Sequence, residues 1–222
     1  RLKIDDYKGE NGGIVFPNPN APTGIYESLD HVEEIIKNNP DVIVIVDEAY
    51  IDFGGETALP LIDKYDNLVV VRTFSKSRSM AGLRIGYAIS NPELIKALND
   101  VKYSYNSYTM NRPSLVLGVE SIHDDAYFRE KVGQIIATRE RFVKEIAELG
   151  FTCLPSSANF VFATHESIPA KKIFAAAKEN NIYVRYFDKP RIDNYLRISI
   201  GTDAEMDAFV AFLKGYVETK QN

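Results

Sequence analysis

The sequence has little cysteine, no long hydrophobic run and no block of charge of one sign. Its single cysteine, Cys153, excludes an intramolecular disulfide and cannot by itself form a thiolate metal site. No apolar run reaches the roughly 18 residues of a membrane span, and no signal peptide opens the chain. Lysine and arginine are scattered and the formal net charge is -5, so nothing favours binding to nucleic acid or to a membrane. A cytoplasmic protein fits these absences best.

Histidine is also scarce, and its spacing does not suggest a metal centre. His31, His123 and His165 lie far apart, in no pattern of metal ligands. We therefore expect these three side chains at the surface and no metal site.

The chain nevertheless has enough apolar sequence for a core, since 45% of its 222 residues are hydrophobic. Short apolar runs at residues 13–16, 42–46, 68–72 and 85–89 predict strands, with helical patterns between some of them. This alternation predicts an α/β fold with a mostly parallel sheet flanked by helices. The β-branched residues at 42–46 predict a central strand buried on both faces.

The character of the sequence changes near residue 123. A long amphipathic helix is predicted from residue 125, followed by short strands and two further helices, which is typical of a small α+β unit. We therefore predict two domains, residues 1–123 and residues 124–222. The charged start, RLKIDDYKGENGG, has no helix cap before Ile14 and resembles the end of an element whose earlier part is absent, so we expect a fragment of a longer protein.

The stretch at residues 71–87, VRTFSKSRSMAGLRIGY, surrounds one lysine with small and hydroxyl side chains. A lysine can form an imine with an aldehyde cofactor, which makes Lys76 a candidate for covalent catalysis. Hydroxyl groups, backbone amides and an arginine bind phosphate, and Thr73, Ser75 and Arg84 lie close enough in sequence to do so together. The alternative is an ordinary exposed lysine in a serine-rich loop.

Asp47 follows directly after an apolar strand, and in open α/β sheets ligands bind at the carboxyl ends of strands. Pyridoxal phosphate needs an acid beside its pyridine nitrogen, so that the ring stays protonated and accepts electrons. Asp47 would meet that need. Tyr50 and an asparagine of the loop NPNAPTG, residues 18–24, would donate to the phenolic oxygen of the cofactor. The alternative for Asp47 is a solvated loop residue.

Four motifs occur in order along the chain: NPNAPTG, VDEAY, TFSKSRSMAGLRIGY and NYLRISIG. Together they closely resemble the fold-type I pyridoxal-phosphate-dependent aminotransferases, and within these the histidinol-phosphate aminotransferases. The resemblance covers essentially the whole chain. It implies reversible amino transfer in histidine biosynthesis, from histidinol phosphate to 2-oxoglutarate, with imidazole-acetol phosphate and glutamate as products. It also implies a homodimer of the complete protein.

The resemblance implies a role for each residue of the motifs. Lys76 would bind the cofactor and then move the proton between Cα of the substrate and C4′ of the cofactor. Asp47 would pair with the pyridine nitrogen, and Tyr50 would donate to the phenolic oxygen. Ser75 and Arg84 would bind the cofactor phosphate.

The resemblance also implies substrate contacts. Arg197, in NYLRIS, matches the arginine that binds the acidic group of the substrate, and Arg185, in YVRYF, a second arginine that grips the phosphate. Asn159, in SANF, would line the pocket. The alternative for both arginines is a pair with a surface acid. Many relatives have asparagine directly before Pro-Thr-Gly; here Ala21 stands there, and we expect Asn20 to take that role.

A second departure is length, because members of the family are longer than this chain. Their N-terminal part carries a phosphate-binding helix start, an aromatic that stacks on the cofactor and dimer contacts. We therefore expect residues 1–222 alone to retain the cofactor weakly and to be weakly active or inactive. Alternatives within the fold are an aromatic aminotransferase or a threonine-phosphate decarboxylase. An alternative of another class is a non-catalytic interaction or regulatory domain, against which the intact set of motif residues argues.

Overall fold

The computed structural model describes residues 2–221, apart from the side chain of residue 221, and divides them into two units. One unit holds the described residues up to Asn20 together with Tyr26–Glu130. The other holds Ala21–Ile25 together with the described residues from Lys131 onward. The predicted domain boundary after residue 123 stays a prediction about the complete protein.

The first unit is built on a four-stranded sheet with helices after its strands. Its strands are β1 (Ile14–Pro17), β2 (Val44–Asp47), β3 (Leu68–Thr73) and β4 (Gly86–Ile89), and its helices are α1 (Leu29–Lys37), α2 (Pro92–Tyr105), α3 (Arg112–His123) and the start of α4 (Asp125–Ala147). The spatial order is β1-β2-β3-β4, with the first three strands parallel and β4 antiparallel to β3. The predicted mostly parallel sheet is therefore confirmed.

Strand alternation decides which side chains of this sheet form the core. Val44, Val46 and Val70 are buried in one cluster with Ile35 and Ile36 of α1. Because side chains alternate between the two faces, one face of the sheet packs on α1.

The opposite face is more open. Ile43 is 38% exposed and Val15 is 69% exposed, and Ile45 is half-buried. The prediction of a strand buried on both faces is therefore wrong for β2 among the described residues. A run of β-branched residues predicts a strand, but burial also requires an element that covers the second face.

The second unit is a separate antiparallel sheet with helices. Its strands are β5 (Phe151–Cys153), β6 (Phe160–His165), β7 (Arg185–Tyr186) and β8 (Leu196–Ser199), in the order β5-β6-β8-β7, and its helices are α5 (Ala170–Glu179), α6 (Asp203–Gln221) and the rest of α4. Its core packs Phe142 and Ile146 of α4 against Val161, Ile198 and Leu213. This agrees with the predicted α+β character.

His165 is the exception to the expectation for the histidines, because it is only 3% exposed. Its Nδ1 accepts hydrogen bonds from the backbone N–H groups of Ser167 and Ile168, both at 3.1 Å. Its Nε2 lies 2.9 Å from the Leu149 carbonyl oxygen, to which it donates, since Nδ1 is the accepting nitrogen. This histidine joins the end of β6 to the turns beside it.

Among the described residues, no helix combines the length and the apolar character that crossing a membrane requires.

Candidate active site

Lys76 lies in the loop between β3 and β4, which we call the lysine loop (residues 74–85). The side chain is half-buried, and its Nζ lies 5.4 Å from the centroid of the Tyr50 ring. The part of the chain that the structure describes gives this amine no carboxylate partner. Surface lysines are usually well solvated or paired with an acid, so this environment makes Lys76 a candidate for a reactive amine.

The lysine loop is shaped by its own hydrogen bonds. The Thr73 hydroxyl donates to the Ile85 carbonyl oxygen at 3.2 Å and accepts from the Ser75 N–H at 3.0 Å. The Ser79 N–H donates to the Lys76 carbonyl oxygen at 3.0 Å. Ser79 has a φ of 55°, which is uncommon for a residue with a side chain and persists only where the surroundings fix it. The backbone around Lys76 is therefore constrained.

The three predicted phosphate ligands differ in whether they keep a hydrogen-bond donor that is not already used within the described chain. The Thr73 hydroxyl has one proton and already donates it to Ile85, so donating to a phosphate oxygen would break that bond. Ser75 is half-buried, and its hydroxyl has no hydrogen-bond partner among the described residues. Arg84 is exposed, and among the described residues it donates only through Nη1, to the Ala81 carbonyl oxygen at 3.0 Å. Ser75 and Arg84 thus keep donors for an anion.

Asp47 is the last residue of β2. It lies at the carboxyl ends of the parallel strands, where β3 also ends and the lysine loop begins. Its neighbours in register are Pro17 on β1 and Val71 on β3. Its Oδ1 accepts from the Ala49 N–H at 2.9 Å, which orients the carboxylate. Tyr50 follows three residues later, and parallel pairing brings both residues to the edge where Lys76 lies.

The loop of residues 18–24 begins with Asn18, whose side chain and backbone N–H both form hydrogen bonds that hold the start of the loop. The buried Asn18 side chain donates to the Glu27 carbonyl oxygen at 3.0 Å and accepts from the Glu27 N–H at 2.9 Å. The Asn18 N–H donates to the Asp47 carbonyl oxygen at 2.9 Å. These bonds tie the loop to the end of β2. Asn20 is half-buried two residues further along, and its contact with a cofactor stays a prediction.

A buried polar network beside Lys76 was not predicted from the sequence. Arg72 donates through Nε and Nη2 to Oε2 of Glu48, at 3.0 and 2.9 Å, and the Glu48 side chain is only 1% exposed. Thr57 donates to the same Oε2 at 2.7 Å. Asp52 Oδ1 lies 3.9 Å from Nη1 of Arg72, and Asp52 Oδ2 accepts from the Ser77 hydroxyl. The network reaches from the end of β2 to the residue after Lys76.

One signal in the sequence indicates this network. Arg72 points to the same face of β3 as Leu68 and Val70, because side chains two positions apart lie on one face. Leu68 and Val70 are fully buried, so an arginine on that face needs an acid nearby. Burial by itself would lower the pKa of Arg72, but the neighbouring carboxylates of Glu48 and Asp52 raise it overall. Arg72 is thus a permanent cation in this network.

In the second unit, the two predicted substrate arginines are brought together. Arg185 on β7 is the register partner of Arg197 on β8, so the two side chains share one face of the sheet. Both guanidinium carbons lie near the Phe187 ring, at 5.5 Å for Arg185 and 5.9 Å for Arg197. Arg197 Nε is buried and has no hydrogen-bond partner in the described chain.

Two opposed cations and a buried donor without a partner are each unfavourable alone. An acidic group bound between the guanidinium groups would relieve both, because guanidinium binds carboxylate and phosphate through paired N–H donors. This arrangement can therefore bind an anion.

Asn159 stands directly before β6, in the same unit. Its carbonyl oxygen accepts from the Ile200 N–H at 2.9 Å, and its side chain is half-buried. Nη1 of the buried Arg139 donates to the carbonyl oxygen of Ala158, at 2.8 Å. These bonds fix the backbone beside Asn159 and leave its predicted pocket role untested.

Comparison with known proteins identifies the family of the chain. Residues 3–213 match the aminotransferase class I and II family. The chain is 51% identical over 213 residues to a histidinol-phosphate aminotransferase of Clostridium botulinum, which covers 96% of this chain and 60% of the relative. The chain therefore spans about three fifths of the length of this curated relative.

Solved structures show the same fold. The histidinol-phosphate aminotransferase of Clostridium acetobutylicum superposes with a TM-score of 0.86 at 26% identity, over 94% of this chain and 64% of that one. The histidinol-phosphate aminotransferase of Sinorhizobium meliloti, solved in complex with pyridoxal-5'-phosphate, gives a TM-score of 0.83 at 27% identity, over 94% and 58%. By the family match over nearly its whole length, the chain belongs to the class I and II aminotransferases.

Proposed function

We propose that the complete protein is a pyridoxal-phosphate-dependent aminotransferase that acts on histidinol phosphate and 2-oxoglutarate. The observation that carries the proposal is the Lys76 amine, half-buried against the Tyr50 ring and without a carboxylate partner among the described residues. The relatives named histidinol-phosphate aminotransferase support the choice of substrate. The chain spans only part of their length, so the activity is proposed for the protein as a whole.

The side chains at the edge of the first sheet fit pyridoxal phosphate by their chemistry. This group, when bound, would supply an aldehyde carbon and a ring that accepts electrons. Lys76 offers the amine for the aldehyde, and Asp47 a carboxylate that would keep a proton on the pyridine nitrogen. Ser75 and Arg84 retain donors suited to a phosphate.

Further residues would orient the cofactor and shape its site. Tyr50 would donate its phenol proton to the phenolic oxygen of the cofactor, with Asn20 as a second donor. Thr73 would brace the lysine loop through its hydrogen bonds to Ile85 and Ser75. The Lys76 amine would take the proton from Cα of the substrate, because it is the one base on this loop.

Arg185 and Arg197 would bind the acidic group of each substrate in turn. Histidinol phosphate presents a phosphate and 2-oxoglutarate presents a carboxylate, and a pair of guanidinium groups accepts either. Two observations support this role: the Arg197 Nε has no partner in the described part of the chain, and Arg197 lies opposite Arg185. Asn159 would line the same pocket as a polar neighbour.

We extend the proposal to a homodimer of the complete protein. Support comes from α3, which carries five large apolar side chains that are each about half exposed. These are Leu115, Val116, Leu117, Val119 and Ile122. Such a concentration on one helix is typical of a surface that further polypeptide covers. Sedimentation of the complete protein tests it, and a monomer at micromolar concentration would contradict it.

The test of the cofactor is covalent capture. The protein is incubated with pyridoxal phosphate and reduced with borohydride, and the modified lysine is located by mass spectrometry. We expect the added mass on Lys76, its loss in Lys76→Ala, and no effect of Lys96→Ala, which removes an exposed lysine of α2. Persistence of transamination in Lys76→Ala would refute the assignment.

The test of the substrate is turnover by the complete protein. Histidinol phosphate, phenylalanine and threonine phosphate are compared at equal concentration, with 2-oxoglutarate as acceptor. We expect histidinol phosphate to be preferred. Faster turnover of phenylalanine would indicate an aromatic aminotransferase, and loss of carbon dioxide from threonine phosphate would indicate a decarboxylase.

A further inference from the structure

The residue directly after Lys76 is tied to the segment that carries Tyr50. Ser77 is only 5% exposed, and its hydroxyl donates to Oδ2 of Asp52 at 2.5 Å. Asp52 lies in the short 3-10 helix Ile51–Phe53, which begins immediately after Tyr50. This hydrogen bond connects the lysine loop to the turn that places the Tyr50 ring beside the amine.

Asp52 is itself held by the buried network of Glu48 and Arg72. Nη1 of Arg72 lies 3.9 Å from Oδ1 of Asp52, while Nε and Nη2 of Arg72 are bonded to Glu48. The Arg72 side chain is 19% exposed and that of Asp52 is 28% exposed. A carboxylate that faces a fixed cation on one side and a hydroxyl on the other has little rotational freedom.

We propose that Asp52 is a positioning residue that holds the Lys76 amine against Tyr50 by accepting the Ser77 hydrogen bond, with Arg72 and Glu48 fixing its carboxylate. The proposal rests on the proposed function of Lys76 as the reactive amine. A reactive group needs support from neighbouring hydrogen bonds to stay within a fraction of an ångström of its working geometry. Asp52 supplies that support without touching the amine.

The experiment measures the accessibility of Lys76 without any cofactor. The chain is labelled with a trace of acetic anhydride, and the acetylation rate of Lys76 is divided by that of the exposed Lys96 in the same digest. Because Lys76 is half-buried, its relative rate is low in the unsubstituted chain. Ser77→Ala and Asp52→Ala should raise it about fivefold, the factor that corresponds to losing one hydrogen bond.

Two further variants make the test specific. Asp52→Asn keeps an acceptor oxygen for Ser77 but loses the charge, so we expect a smaller rise, about twofold. Ser90→Ala removes a comparable bond, from the Ser90 hydroxyl to the Leu68 carbonyl oxygen, at the opposite end of β3, and should leave the ratio unchanged. Unfolding midpoints measured in parallel identify any loss of global stability, which would also raise labelling at the half-buried Lys131.

An unchanged Lys76 ratio in folded Ser77→Ala and Asp52→Asn would overturn the proposal, as would an equal rise in Ser90→Ala. If Asp52→Ala does not fold, the other two variants decide. Capture of pyridoxal phosphate is measured in parallel on the complete protein with the same substitutions, because residues 1–222 alone are expected to retain the cofactor weakly. The substitutions could change the labelling of Lys76 as expected while the unsubstituted protein shows no capture at Lys76. That result would refute the cofactor assignment and leave the positioning role intact.

Discussion

Arg185 lies directly opposite Arg197 on neighbouring antiparallel strands, and both guanidinium groups lie near the Phe187 ring. Like charges in register repel each other, and the buried Nε of Arg197 has no partner among the described residues. The relationship is unfavourable for an isolated sheet. An anion bound between the two side chains would offset this repulsion, as the proposed function requires of the acidic substrate.

This relationship predicts an anion-dependent stability. Inorganic phosphate should raise the unfolding free energy of the chain, by about 1.4 kcal/mol at ten times its dissociation constant. Arg197→Ala should abolish the effect because it removes the central donor. Thermal unfolding in phosphate, compared with chloride at equal ionic strength, measures it. Arg129→Ala, which removes an exposed arginine of α4, is the control and should keep the full response.

Arg185→Gln should raise the free energy of unfolding in the absence of phosphate and reduce the additional stability that phosphate provides. Without the anion it relieves repulsion and should stabilise the chain by about 0.5 kcal/mol. With phosphate it loses a ligand and should bind more weakly. Equal responses in both buffers would show that the two guanidinium groups do not share a ligand.

Glu48 and Arg72 predict a large loss of stability when one partner is removed. Glu48 is 1% exposed at its side chain and accepts from Arg72, Thr57 and the Ala58 N–H. Glu48→Ala should cost about 3–5 kcal/mol, because it leaves the Arg72 cation with too few partners. Urea unfolding measures the cost.

The control for Glu48 is the exposed pair of Asp125 and Arg129 on α4. Asp125→Ala should cost less than about 1 kcal/mol, because solvent screens this pair. Similar costs for the two substitutions would mean that the Glu48 network is not effectively buried.

The strands and the lysine loop could be predicted from the sequence because those features are local. Apolar runs bounded by polar residues predict strands, and the residues within a few positions of Lys76 make it a candidate reactive amine. The opposition of Arg185 and Arg197 is not local, since it depends on the register of two strands. The same holds for Glu48, which directly follows β2, and Arg72 on β3, because the two residues meet only after the sheet forms.

The wrong predictions share a physical cause, which is that burial depends on neighbours. Ile43 and Ile45 belong to a β-branched run that suits a fully buried strand, yet one face of β2 is open among the described residues. His165 has no distinctive spacing, yet backbone donors from the following turn make it a buried acceptor. Neither environment is encoded within a short window of sequence.

Cys153 predicts a pH-dependent reactivity. Burial raises the pKa of its thiol to about 11, from an ordinary value near 9.0. At pH 8 the folded chain should react with iodoacetamide about a hundredfold more slowly than the urea-unfolded chain, because the thiolate is the reactive form. The rate should rise about tenfold per pH unit and level off only above about pH 11.

The same shift makes Cys153 a source of stability that alkali removes. The folded thiol keeps its proton more tightly than the unfolded one, so its contribution is fully present below about pH 9 and is lost as the pH rises through about 11. Cys153→Ser should flatten this part of the stability profile measured in urea. An identical profile in the variant would show that other groups govern the alkaline limb.

Two substitutions of His165 should lower the free energy of unfolding by different amounts. His165→Leu leaves the N–H groups of Ser167 and Ile168 without an acceptor, which should cost about 2–4 kcal/mol. His165→Asn can place an oxygen near the Nδ1 position, so it should cost about half as much even though it loses the bond to Leu149. Urea unfolding of both variants measures the difference. If leucine were tolerated as well as asparagine, packing against Phe151, whose ring lies 4.8 Å from the imidazole, would be the main role of this residue.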